Sequence, residues 1–177
     1  MLLFVIRHGE VIYNVMHLVN SMNDSTLTEN GIRQAVFASK EVEKLDIDVI
    51  YCSPLKRCVQ TCGYININNI DVKYDDRLIE RNSGSMQYKD VSSLDLNEWY
   101  DKGLDKLYSD TEGFKGVIDR VSNFLDEIIF KCKGKNVLLV THGDVCKAIY
   151  VYFHPYVSNE DIILYNSGNC DITKYEI

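Results

Sequence analysis

Leu2-Leu3-Phe4-Val5-Ile6-Arg7-His8-Gly9-Glu10 is an unbroken apolar run that ends abruptly in an arginine, a histidine and a glycine. Five consecutive apolar residues fit a strand covered on both faces, as in a parallel sheet with helices on either side. A second stretch repeats the pattern: Val137-Leu138-Leu139-Val140-Thr141 runs into His142-Gly143. Two strands that each deliver a His-Gly pair imply a parallel sheet with both histidines at its carboxyl edge, where ligands bind in open α/β sheets.

The segments between them alternate in kind. Thr28-Glu29-Asn30-Gly31 opens an amphipathic stretch with Ile32, Val36, Val42 and Leu45 on one face, predicting a helix capped by Thr28 and reaching Lys44. Asp48–Cys52 is a second strand, and Ser53-Pro54 reads as a helix start, with Ser as cap and Pro in the first turn. That helix is expected to run to Tyr64. Val72–Tyr74 is a short third strand, followed by a polar loop from Asp75 to Asp90. Residues Leu94 to Gly116 read as short helices covering a site. A long helix is expected over Val117–Cys132, a strand over residues 136–141, a helix over Val145–Phe153, and an edge strand over Asp171–Glu176. The expectation is one domain, residues 1–177, built as a three-layer α/β/α sandwich with a mostly parallel central sheet.

Composition narrows the function classes. The chain has 177 residues, 46% of them hydrophobic, and a formal net charge of −7. No basic stripe is present, which argues against nucleic acid or an anionic membrane as partner. The six cysteines form no CxxC pair and no metal spacing, so a reduced cytoplasmic setting and no metal site are expected. Cys58 and Cys62 share a helix face and read as core. The apolar run before Arg7 is too short for a signal peptide or a membrane span. Two copies could pair through a surface helix or the edge strand, a homodimer the sequence leaves open.

The residues at the strand ends carry the chemistry. Arg7 and His8 follow the first strand, Ser53 and Arg57 the second, the Asp76–Glu80 loop the third, and His142 the fourth. Two arginines and two histidines at one crevice make an oxyanion pocket, since guanidinium forks match phosphate oxygens. One histidine can attack phosphorus and form a phosphohistidine. Glu80 is a candidate proton donor to the leaving alkoxide and, once ionised, a base for water. Glu10 reads as a nearby acceptor, Lys56, His17 and His154 as ordinary surface or helix-end residues, and the Trp99–Tyr108 aromatics as core or as the wall of a lid.

Five ordered blocks extend this reading: Arg7-His8-Gly9-Glu10 with Asn14, Leu27–Ala35, Ser53–Thr61, Arg77–Arg81 and Thr141-His142-Gly143. Together they resemble the histidine phosphatase superfamily, in the branch shared by cofactor-dependent phosphoglycerate mutases and related small phosphatases. The resemblance covers essentially the whole chain. It implies a phosphoglycerate mutase-like fold, with His8 as the phosphorylated nucleophile and Arg7, Arg57 and His142 holding phosphoryl oxygens. Asn14 would add a hydrogen bond, Gly143 would line the substrate side, and Glu80 would move the proton. It implies no cofactor and no metal, hence a metal-independent phosphomonoesterase acting on a small phosphorylated metabolite. The alternatives are a phosphoglycerate mutase and a phosphatase of a phosphoprotein. Mutases of this kind carry more sequence than residues 81–141 between the Glu and second His blocks. The chain departs from the pattern at His17–Ser21, where relatives often have an Arg and a Gly, and in the loop Arg81–Tyr88. Both departures bear on the substrate.

Overall fold

A computed structural model describes all residues, 1–177, of the chain. Its centre is a five-stranded sheet of β1 (Leu2–Arg7), β2 (Val49–Cys52), β3 (Val72–Tyr74), β4 (Val137–Thr141) and β5 (Ile172–Glu176). The spatial order is β3-β2-β4-β1-β5. The first four strands are parallel, and β5 closes the far edge antiparallel to β1.

The period of two along each strand sorts side chains between two cores. Leu3, Val5, Val49, Tyr51, Val137 and Leu139 face one side, while Phe4, Ile6, Ile50, Cys52, Leu138 and Val140 face the other. On the second side lie α2 (Glu29–Val42) and α3 (Lys56–Ile65), which bury Ala35, Ala38, Cys58 and Cys62. On the first lie α5 (Phe114–Lys131) and α6 (Gly143–Phe153), which bury Val117, Val121, Phe124, Leu125, Cys146 and Ile149. This is the three-layer α/β/α sandwich expected from the alternation of strands and helices. Cys58 and Cys62 are core, as read.

The remaining helices are short: α1 (Ile12–Val15), α4 (Leu96–Trp99) and α7 (Asn159–Leu164). Neither α1 nor α7 was expected, because four to six residues carry too little periodicity to register. One boundary differs for a physical reason. The helix after β2 starts at Lys56 with Leu55 as its cap, and Ser53-Pro54 lies before it. The Ser53 hydroxyl is drawn instead to His142 Nε2, 2.7 Å away. Likewise α5 begins at Phe114, three residues earlier than expected, which brings the fully buried Phe114 ring under Tyr100. No helix is long and apolar enough to cross a membrane.

Candidate active site

The parallel strands end side by side, and their ends are tied together by backbone. His8 N–H donates to Thr141 O at 2.9 Å and Ser53 N–H to Val140 O at 3.0 Å. The turn after His8 is set by a close backbone approach. A Cβ on Gly9 would lie 2.6 Å from Gly31 O, and one on Gly31 would lie 2.1 Å from Glu10 O. The start of α2 therefore packs directly against the chain leaving β1, which is why glycine stands at both places. Thr28 caps that helix through Gly31 N–H, 3.0 Å, and donates to Glu10 Oε1 at 2.7 Å. Glu10 thus fastens α2 and faces away from the reacting groups. Thr61 completes the turn: its hydroxyl accepts from Gly9 N–H at 3.0 Å and donates to Arg57 O at 2.7 Å.

His8 is 2% exposed, and its Nδ1 lies 2.8 Å from its neighbour's carbonyl, Gly9 O. A carbonyl can only accept, so the proton sits on Nδ1 and Nε2 keeps its lone pair. Burial, then the charges of Arg57 and Arg7, push the His8 pKa well below its ordinary value. The imidazole is held neutral, as a nucleophile must be.

A cavity of about 370 Å³ opens at this edge of the sheet. Arg7, His8, Asn14, Glu80 and Gly143 all line it. Arg7 is braced by one hydrogen bond from Nη1 to Ser167 O, 2.8 Å, and its buried Nε has no partner in the chain. Asn14 accepts from Val11 N–H at 3.0 Å and from Asn169 Nδ2 at 3.4 Å, which orients its own amide N–H groups away from these partners. Asn169 also donates to His8 O at 2.8 Å.

Glu80 sits on the N-terminus of α6. It accepts from Gly143 N–H at 3.1 Å, Asp144 N–H at 3.3 Å and Arg81 N–H at 3.0 Å. The carboxyl still reaches the cavity, yet the surrounding protein excludes water and the Asp144 charge is close. Burial first and Asp144 second push its pKa up to about 7, against the pull of Arg57 and Arg7. A carboxyl poised there can both give and take a proton near neutrality. The Gly143 N–H is already committed to Glu80, so Gly143 meets the cavity through its surface and not as a free donor.

Arg57 and His142 lie one layer behind. Both are fully buried, and neither lines the cavity. The Arg57 guanidinium donates from Nε to His142 Nδ1 at 3.1 Å, from Nη2 to Ser21 O at 2.8 Å and from Nη1 to Asn23 O at 2.5 Å. Since Nδ1 of His142 accepts, its proton is on Nε2 and is donated to the Ser53 hydroxyl. Its pKa is pushed well down by burial and by Arg57. The His142 ring stands 5.2 Å from the His8 ring, centroid to centroid. Thus the expectation of two arginines and two histidines lining one crevice holds for Arg7 and His8. The other two brace the floor from below.

The contacts of several residues of the site escaped sequence reasoning. Arg81 is 1% exposed, lies over Trp99 at 4.1 Å and donates to Trp99 O at 2.6 Å and Glu112 O at 2.7 Å. Ser21 takes a left-handed φ of 55°, accepts from Ser83 N–H at 2.8 Å and donates to Arg81 O at 3.2 Å. Asp144 accepts from Tyr100 OH at 3.0 Å. Trp99 and Tyr100 line the cavity, as the lid-wall reading of the aromatics expects, whereas Tyr108 is exposed and outside it.

The profile of the histidine phosphatase superfamily (branch 1) matches residues 3–177. Phosphoserine phosphatase 1 of Hydrogenobacter thermophilus is 28% identical, over 99% of this chain and 84% of its own length. The 2,3-bisphosphoglycerate-dependent phosphoglycerate mutase of Thermoplasma acidophilum is 34% identical, over 84% of this chain and 74% of its own. Among solved structures, a phosphoserine phosphatase from Entamoeba histolytica in complex with phosphoserine superposes with a TM-score of 0.85. That likeness, at 23% identity over 98% of this chain and 89% of the other, supports the fold. The chain belongs to the histidine phosphatase superfamily, branch 1, and is one of its phosphatases.

Proposed function

We propose that residues 1–177 act as one catalytic domain that hydrolyses a small phosphate monoester without a metal ion, through a phosphohistidine on His8. The observation that carries this reading is the His8 imidazole itself. It is neutral, held through Nδ1 by Gly9 O, and presents Nε2 at a cavity that also holds Arg7 and Glu80. Nε2 attacks phosphorus, an N–P bond forms and the ester P–O bond breaks. The leaving alkoxide takes its proton from Glu80, whose pKa of about 7 leaves it partly protonated near neutrality. The Glu80 carboxylate then removes a proton from water, whose oxygen attacks phosphorus and releases phosphate from His8. Arg7 neutralises charge on the phosphoryl oxygens, supported by the Asn14 amide. Arg57 and His142 hold the His8 end of the pocket from behind and reach phosphate only if Arg57 gives up the Ser21 and Asn23 carbonyls.

His8→Ala is expected to abolish phosphate release from phenyl phosphate while leaving the far-UV spectrum of the folded chain intact. Substrate phosphate should label the wild-type chain in an acid-labile, base-stable form, and the variant should carry no label. Undiminished turnover by His8→Ala would sink the mechanism.

The likeness to the Thermoplasma acidophilum mutase keeps a second reading in play. An assay of 3-phosphoglycerate with and without the bisphosphate primer separates the two. Primed conversion with phosphate conserved marks a mutase, and unprimed release of phosphate marks a phosphatase.

A further inference from the structure

The half of the cavity that does not hold the phosphoryl group says what kind of alcohol fits there. Its basic lining residues are Arg7, His8 and Lys147. Arg7 and His8 belong to the phosphoryl end. The Lys147 ammonium has three donors, and it places them on the carbonyls of Ile162, Ile163 and Tyr165. It is therefore a clasp for the end of α7 and has no donor left for a ligand. Two carboxylates, Glu80 and Asp144, share the same wall. A second anionic group on the substrate would find no free cation there and would face like charge.

The aromatic faces of the wall already hold cations of the chain, Arg81 over Trp99 at 4.1 Å and Lys147 over Tyr100 at 4.8 Å. What the wall offers instead is aliphatic surface from Leu18, Val91, Leu94 and Ile163, with the amides of Asn20 and Asn166. The volume of about 370 Å³ lies at the small end of the range for ligand pockets, roughly 300–1,000 Å³.

We infer that the preferred substrate is a compact phosphomonoester whose alcohol half has an apolar face and carries no second anionic group such as a carboxylate. This rests on the hydrolytic reading of the same site and narrows it.

Glycerol 3-phosphate and 3-phosphoglycerate make a matched pair, since they differ only in a hydroxymethyl group against a carboxylate. The wild-type chain should favour glycerol 3-phosphate by about tenfold or more in kcat/KM, the equivalent of one unfavourable charge contact. Phenyl phosphate should be turned over better than glycerol 3-phosphate. Equal or faster turnover of 3-phosphoglycerate would overturn the inference. Calorimetric binding of the same pair to His8→Ala reads the preference independently of turnover. If the wild-type chain releases phosphate from none of these esters, the hydrolytic reading fails. The binding preference then decides the inference alone: tighter binding of glycerol 3-phosphate supports it, and equal or tighter binding of 3-phosphoglycerate rejects it.

Discussion

The floor and the roof of the cavity are built in opposite ways. The floor is the carboxyl edge of β1, β2 and β4, where backbone pairs with backbone and nearly every side chain is fully buried. The roof, residues 80–112, is two isolated 3-10 turns and one four-residue helix. A few backbone ties reach it, such as Val19 N–H to Lys89 O and Glu112 N–H to Asn82 O, and the rest of its hold is single side chains: Arg81 on the carbonyls of Trp99 and Glu112, Asp110 on Ser85 N–H, Ser21 on Ser83 N–H. A ladder is cooperative, so a substitution there weakens the unit as a whole and frees no single part of it. A roof hung on individual side chains can be altered one contact at a time. Invariant chemistry suits the first construction and substrate choice the second.

Glu80 stands on the seam, bonded to the start of α6 and continuing directly into Arg81. If it moves the proton, Glu80→Gln should cut kcat by roughly 10²–10⁴-fold, the usual worth of a general acid. In the wild type kcat/KM should fall as pH rises through about 7, because the first step needs the protonated carboxyl. Burial raises this folded-state pKa above the ordinary 4.5. The folded chain therefore holds the proton more tightly than the unfolded chain, and stability falls as pH rises from about 4.5 to about 7. Glu80→Gln should be more stable than wild type at pH 8 and lose that advantage near pH 4. A variant with unchanged pH–rate behaviour would remove Glu80 from the chemistry.

Arg81→Ala is the sharpest test of the roof. It leaves the buried Trp99 and Glu112 carbonyls without their donor and removes the stack on the indole, which should cost about 3 kcal/mol. Trp99 is the single tryptophan of the chain, so its fluorescence reports the roof while far-UV circular dichroism reports the sheet and helices. In this variant the fluorescence transition is expected at lower urea than the dichroism transition. Coincident transitions would show that roof and floor unfold as one unit. Thr61→Val, on the floor, should cost about 2 kcal/mol because the buried Gly9 N–H is orphaned. Here the two transitions should stay coincident, with kcat reduced through the displaced His8 turn.

The same division explains what could be read from the sequence. The floor was legible because a fully buried parallel strand writes itself as an apolar run, and the residue after it is the ligand-facing one. The sandwich, the placement of His8 and Arg7, and the Thr28 cap all follow from local pattern. The roof has no period, and the partners of Arg81 lie at Trp99 and Glu112, far along the chain. The orientation of Arg57 was illegible for the same reason: local sequence places it near His142 but cannot show that the Ser21 and Asn23 carbonyls claim its Nη atoms. One miss was avoidable. Ser158 and Asp161 form a capping box at the start of α7, and that spacing is readable.

The smallest expected effect isolates the charge that meets Glu80 on the seam, at the first turn of α6. Asp144 is the main charge that raises the Glu80 pKa, while Tyr100 OH holds its side chain in place. Asp144→Asn keeps an oxygen for Tyr100 and removes the charge. With less repulsion the Glu80 carboxylate is easier to form, so its pKa moves down toward the ordinary value and the alkaline fall of kcat/KM moves to lower pH. At pH 8 less of the enzyme is protonated, and kcat/KM for phenyl phosphate should drop by a few-fold, while at pH 5.5 the variant should match wild type. Loss of activity by the same factor at both pH values would mean that Asp144 acts by holding Tyr100 and not by its charge. A rise in kcat at pH 8 would mean that the ionised form of Glu80 limits turnover, and the water-activating step would then replace alkoxide protonation as the slow one.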